Sequence, residues 1–275
     1  MRIISLKNKK KIIILLVYTF FSIVAVGQNY PEKFNQLLFD DDTTEIKILL
    51  NDWEENNSND AEFYTSAFSF YSQKDLDKAF KYMDKGIEKF PDRLDMRFFK
   101  CLLLQEIGDF ENFTNEVIKV VEYSKINNNN WLWLYPETEE VEDGENFMFK
   151  EIIIFCFDKL FDVKDKSLLF YMIQIGESIL KYYPEKEFVL IATSVALMET
   201  NQYDKAFEYL KKAEQFAESP YSMLFGNLAV CYTVKGDKKN AIKYYKLIEK
   251  YGDEQEKERA KKCIKQLKKQ KYVTK

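Results

Sequence analysis

From Asp60 onward, apolar residues recur every three or four positions in blocks of about a dozen residues, and each block is closed by Gly, Pro or a short polar turn. That spacing predicts α-helices, because positions i, i+3, i+4 and i+7 share one helical face. The blocks come in pairs. DLDKAFKYMDKGIEKFP, GDFENFTNEVIKVV, NQYDKAFEYLKKAEQFAESP and GDKKNAIKYYKLIEKYG are the second members of four such pairs. Superposing them aligns Ala79, Phe113, Ala206 and Ala241, with steps of 34 residues from Ala79 to Phe113 and 35 from Ala206 to Ala241. SLLFYMIQIGESILKYYP fits the same frame with Met172, 34 residues before Ala206, and Phe147 to Leu160 reads as the apolar helix before it. With only eight Gly and five Pro in 275 residues, the chain has few tight turns to offer a many-stranded sheet, so composition and periodicity both point to an all-α protein.

The repeat length and residue types together resemble the tetratricopeptide-repeat (TPR) family. Ala67, Ala79 and Pro91 in one pair, and Ala229, Tyr232, Gly236, Ala241 and Tyr245 in another, supply the small residues, aromatics and helix stops that let two antiparallel helices approach and stack on the next pair. Departures from the family pattern occur too. The large aromatic of the first helix is Phe63 or Phe225 in two repeats but Arg97 and Leu190 in the others; Gly86 replaces a common Ala, and Phe113 is bulkier than the usual Ala. The resemblance implies a right-handed α-solenoid of antiparallel helix pairs, a TPR-like superhelix. It is divided into N-terminal capping helices over 28–59, two repeats over 60–126, an irregular segment over 127–145, a degenerate repeat over 146–186, two repeats over 187–252 and a capping helix over 253–275.

Three segments change this picture. Arg2, Lys7, Lys9, Lys10 and Lys11 precede an apolar run from Ile12 to Val26, a secretory signal layout with small residues before a cut expected between Gly27 and Gln28. The run is 15 residues, shorter than the roughly 20 that a spanning helix needs. Residues 1–27 are therefore expected to be removed, leaving a periplasmic or secreted protein without stable membrane insertion. Without them the chain carries 36 basic and 45 acidic residues, a balance that disfavours nucleic acid as a partner. Residues 127–145 break the repeat rhythm and combine Trp131, Trp133 and Tyr135 with a run of acids; these aromatics either anchor a partner or fold back to seal the protein's own groove. The last segment places Ala260, Cys263, Ile264 and Leu267 on one face among many lysines, the pattern of a solvating cap helix or, as the alternative, of a basic patch for an acidic partner or anionic surface.

Candidate chemistry is sparse. The chain has no histidine, which removes the commonest general base, the His-dependent triads and most zinc sites. The acidic stretch around Glu139 and Glu140 lacks the ligand spacing of an EF-hand because Val141 interrupts it before Gly144. The expected protein is thus not an enzyme and uses neither a cofactor nor a metal. The four cysteines lie far apart with no CxxC pair; Cys101 and Cys231 sit on apolar stretches where Cys serves as a small hydrophobe.

In TPR proteins the first helices of successive pairs line a concave groove. The resemblance places Tyr64, Phe68, Tyr71, Phe98, Leu102, Ile191, Val195 and Met198 there, with Asn227 the polar exception. Such a groove suits a protein or peptide with an apolar or amphipathic segment, not a carboxylate clamp. Two other classes stay open: a carbohydrate-binding protein or enzyme subunit using the aromatic segment and carboxylates, and a small-molecule or lipid carrier.

Overall fold

In the computed structural model, residues 29–126 and 166–269 are described; the expected signal segment, the 127–145 segment and the Phe147–Leu160 helix lie outside them. The described residues form twelve α-helices and no β-strand. They are α1 (Tyr30–Phe39), α2 (Thr43–Asn57), α3 (Ala61–Tyr71), α4 (Leu76–Lys89) and α5 (Leu94–Ile107), then α6 (Phe110–Ile126), α7 (Lys166–Tyr182), α8 (Glu187–Glu199), α9 (Tyr203–Phe216), α10 (Ser222–Val234), α11 (Lys238–Tyr251) and α12 (Glu254–Lys269). The chain divides into two compact units, with α1–α5 in the first and α6–α12 in the second; the division falls at Gly108–Asp109.

The helix boundaries follow from capping chemistry. Asp42, Asp60, Asp75 and Asp237 each stand at an N-cap and accept a backbone N–H of the first turn. For Asp237 the N–H of Asn240 lies at 3.0 Å, and this bond holds the carboxyl below its ordinary range. The preceding Gly236 adopts a left-handed backbone with φ of 76°, as Gly108 does ahead of Asp109 with φ of 78°. A Gly-Asp dipeptide thus ends one helix and starts the next without a longer loop. Asn201 takes the equivalent place between α8 and α9, with φ of 62°, a conformation that Asn tolerates better than most residues.

In the first unit α3 and α4 form a close antiparallel pair. Ala67, Ala79 and Met83 are fully buried at their contact, and Gly86 leaves room for the ring of Tyr64; a Cβ on Gly86 would stand 2.7 Å from the Tyr64 Cβ. Helices α1 and α2 close one side of this pair. Trp53 is fully buried, stacks on Tyr30 at 5.2 Å and donates its indole N–H to Asp60 at 3.0 Å, which ties the packing of α2 to the N-cap of α3.

In the second unit the helices fall into two rows. Helices α6, α7, α9 and α11 make one row, stitched by Lys205 of α9 donating to Glu177 of α7 at 2.6 Å and by the Tyr244 hydroxyl of α11 donating to Glu214 of α9 at 2.6 Å. Helices α8, α10 and α12 make the other, joined by the Met198 and Cys231 sulfurs at 3.5 Å and by Ser222 donating to Glu256 at 2.8 Å. Between the rows lies a core of Leu190, Leu197, Ala206, Leu210, Leu228 and Ala229. Ala260, Ile264 and Leu267 bury one face of α12 and leave its lysines outside.

Candidate functional site

The two helix rows of the second unit differ in kind. Helices α9 and α11 have one apolar face and one charged face, as a helix covered on one side should. Helices α8 and α10 show no such division: α10 has no charged residue, and α8 carries charge only at its two ends, Glu187 and the exposed Glu199. Such a helix is ordinarily enclosed on every side, so the part of its surface that meets water is the anomaly. On α10, Leu224, Phe225, Leu228, Ala229 and Cys231 face the core, whereas Met223, Val230 and Val234 are 42%, 39% and 53% exposed. On α8, Phe188 is 45% exposed, and Val195 and Met198 are half-buried.

These side chains belong to one surface. At one end Phe188 and Ile191 share a shallow recess of about 280 Å³ with Ser219, Tyr221 and Glu187. At the other end Met198 rests on Cys231. The two helices therefore run side by side in the same direction, and Phe188, Val195, Met223, Val230 and Val234 line an apolar strip on the side away from the second row. Its polar groups are few. Asn227 has a buried amide nitrogen that meets no hydrogen-bond acceptor among the described residues. Burial, followed by the charge of Glu218, raises the carboxyl of Glu187 above its ordinary value. Burial, with Glu187 next, raises the Tyr221 phenol. The strip can thus take up apolar side chains, but it holds no nucleophile beside a base.

The residues expected to line the groove take several positions. Tyr64, Phe68, Tyr71 and Ile191 are buried within their own units. Tyr64 leans on Gly86, and Tyr71 stacks on Tyr82 of α4 at 5.7 Å. Phe98 and Leu102 on α5, and Val195 and Met198 on α8, are half-buried. Trp131, Trp133 and Tyr135, which carry the carbohydrate reading, lie outside the described residues. Sequence reasoning passed over Phe188, Met223, Val230 and Val234. Their signal was the composition of α10: SMLFGNLAVCYTV has no charged residue and hence no face suited to water.

Among the described residues, no group of three or more His, Cys, Asp or Glu side chains is placed to hold a metal ion, and no helix is long and apolar enough to cross a membrane.

The second unit is therefore a stack of antiparallel helix pairs of tetratricopeptide length with an uncovered apolar strip on its row of first helices. No protein-family model and no curated protein matches the sequence. Solved structures do resemble it. One is the structure from the "Functional Characterization of Pseudomonas Aeruginosa pilF", at 14% identity, covering 85% of this chain and 95% of that one with a TM-score of 0.41. Another is YrrB, described as a TPR protein with an unusual peptide-binding site, at 16% identity, 78% and 97% coverage and a TM-score of 0.42. A third is PilW, a type IV pilus biogenesis factor, at 11% identity, 85% and 99% coverage and a TM-score of 0.39. Likeness at these scores says nothing of what the chain binds, and the fold class rests on the helix pairs themselves.

Proposed function

We propose that this chain is an exported scaffold of the tetratricopeptide type that holds a partner protein through an apolar or amphipathic segment laid on the α8–α10 strip. The observation that carries this reading is the exposure of Phe188, Met223, Val230 and Val234 on helices with no polar face of their own. A helix or extended segment with apolar side chains at helical spacing would cover them and remove the exposed patch from water. Export is supported by the signal layout of residues 1–27.

A photo-crosslinking residue placed in living cells at Val230 or Val234, with Lys212 on the opposite row as control, tests the surface. One defined protein is expected at the first two positions and not at Lys212, and Met223→Ser with Val230→Ser should abolish its capture. Equal capture at all three positions, or capture that survives the double substitution, would remove the strip as the binding surface. N-terminal sequencing of the protein from the cell envelope tests export separately: a chain starting at Gln28 supports it, and an intact Met1 in the cytoplasm contradicts it.

A further inference from the structure

Among the second helices of the pairs, α4 and α9 carry charges of both signs on their exposed faces. Lys81, Asp84, Lys85 and Glu88 stand out from α4, and Lys205, Glu208 and Lys212 from α9. The balance of charge on α2 and α11 leans in opposite directions. On α11, Lys239, Lys243, Lys246 and Lys250 follow one another at i, i+4, i+7 and i+11, all exposed, opposite the buried Ala241, Tyr244 and Ile248. Ile242 and Leu247 join Lys239, Lys243 and Lys246 in lining a recess of about 520 Å³ on that outer face. On α2, Ile46, Leu49, Leu50 and Trp53 are buried, and the opposite face presents Ile48, 55% exposed, with Glu45 one turn before it, Glu55 two turns after and a single lysine, Lys47, beside it. Exposed Asp40 and Asp41 precede the helix.

One surface is therefore a row of lysines around an apolar recess, and the other a mainly acidic face around one exposed isoleucine, with Lys47 its one exposed cation. We infer that α2 of one copy docks along α11 of a second copy, with Ile48 entering the recess between Ile242 and Leu247 and Glu45 and Glu55 meeting the lysines. The occupant is a second copy because the complement in charge and in apolar content is carried by this same chain. The contact joins two different surfaces, so it is heterologous and leaves each copy with one docking face unused. Neither α2 nor α11 belongs to the α8–α10 strip, and the inference stands independently of the binding role proposed there.

Sedimentation velocity of the purified full chain tests it, at low salt and at about tenfold higher salt, where exposed charges are screened. The sedimentation coefficient is expected to rise with protein concentration at low salt and to lose that dependence at high salt. Glu45→Lys with Glu55→Lys, and separately Lys243→Glu with Lys246→Glu, should each weaken association at least about tenfold. An equimolar mixture of the two variants should regain it, because each then offers the charge the other lacks; this recovery also shows that both variants are folded. A wild-type chain that stays monomeric at low salt overturns the inference. So does association that survives both double substitutions, or variants that stay monomeric when mixed. A monomeric chain that binds phosphatidylserine vesicles through Lys243 and Lys246 would assign the lysine row to a lipid surface instead.

Discussion

Gly86 and Gly176 show how single residues set the distance between helices. A methyl group at Gly86 would meet Tyr64 Cβ at 2.7 Å and Met96 Sδ at 3.1 Å, and one at Gly176 would meet the side chain of Thr193, whose Cβ stands 3.0 Å away. Neither neighbour can swing clear: Tyr64 is pinned by its hydroxyl donating to the Ser58 carbonyl at 3.0 Å, and Thr193 by its hydroxyl donating to the Val189 carbonyl at 2.7 Å. Gly86→Ala and Gly176→Ala are each expected to cost about 1–3 kcal/mol despite the better helix propensity of Ala, read from urea unfolding midpoints. Helix propensity alone predicts the opposite sign. The sequence showed that Gly86 departs from the family's alanine, but not why. The reason lies in Tyr64, whose packing onto α4 also buries a residue that the family resemblance places in the groove.

The helix pairs were legible because their two periods, about 3.6 residues within a helix and about 34 along the chain, are printed in the sequence. Which face of each first helix meets water was less legible. The apolar faces of α8 and α10 look alike in sequence, and only contact with the second row separates core from strip. The cap is a clearer case: of Ala260, Cys263, Ile264 and Leu267, placed on one face by spacing, three are buried in α12 and Cys263 is half-buried. Ile264→Ala is expected to destabilise by about 2–4 kcal/mol, whereas Lys262→Ala on the exposed face should stay within about 0.5 kcal/mol, both checked by thermal or denaturant unfolding.

Joints between neighbouring pairs are polar as well as apolar. Burial of Glu214 opposes its charge, but hydrogen bonds from Lys211 and Tyr244 outweigh that effect and hold its carboxyl below the ordinary value, while burial and then Glu214 itself push the Tyr244 phenol up to about 12. A carboxyl lowered in the folded state contributes stability above its unfolded value of 4.5, and loses it as pH falls through the folded value. Glu214→Gln should therefore be less stable than wild type near neutrality, with the difference in Tm shrinking as the solution is acidified below pH 4.5. A difference that persists into acid would mean that Glu214 acts through packing and not through its charge.

Across the whole chain, the acids between residues 40 and 55 and the lysines between residues 239 and 250 are plain in the sequence, but their placement on exposed faces of α2 and α11 is not. A charge run has no direction until a helix supplies one. The same holds for Cys231, an apolar-looking residue whose surroundings decide its reactivity. It is fully buried where α8 and α10 meet, its sulfur beside that of Met198, and burial pushes its thiol up to about 11. At neutral pH almost none of it is thiolate, the form that attacks electrophiles and disulfides. The seam between these helices thus shields a cysteine from oxidation and mispairing. Iodoacetamide should label the half-buried Cys263 of the native protein and reach Cys231 only after denaturation. Equal labelling of the two would show that α8 and α10 part often enough to admit the reagent, and that the strip they form is open to remodelling by whatever binds it.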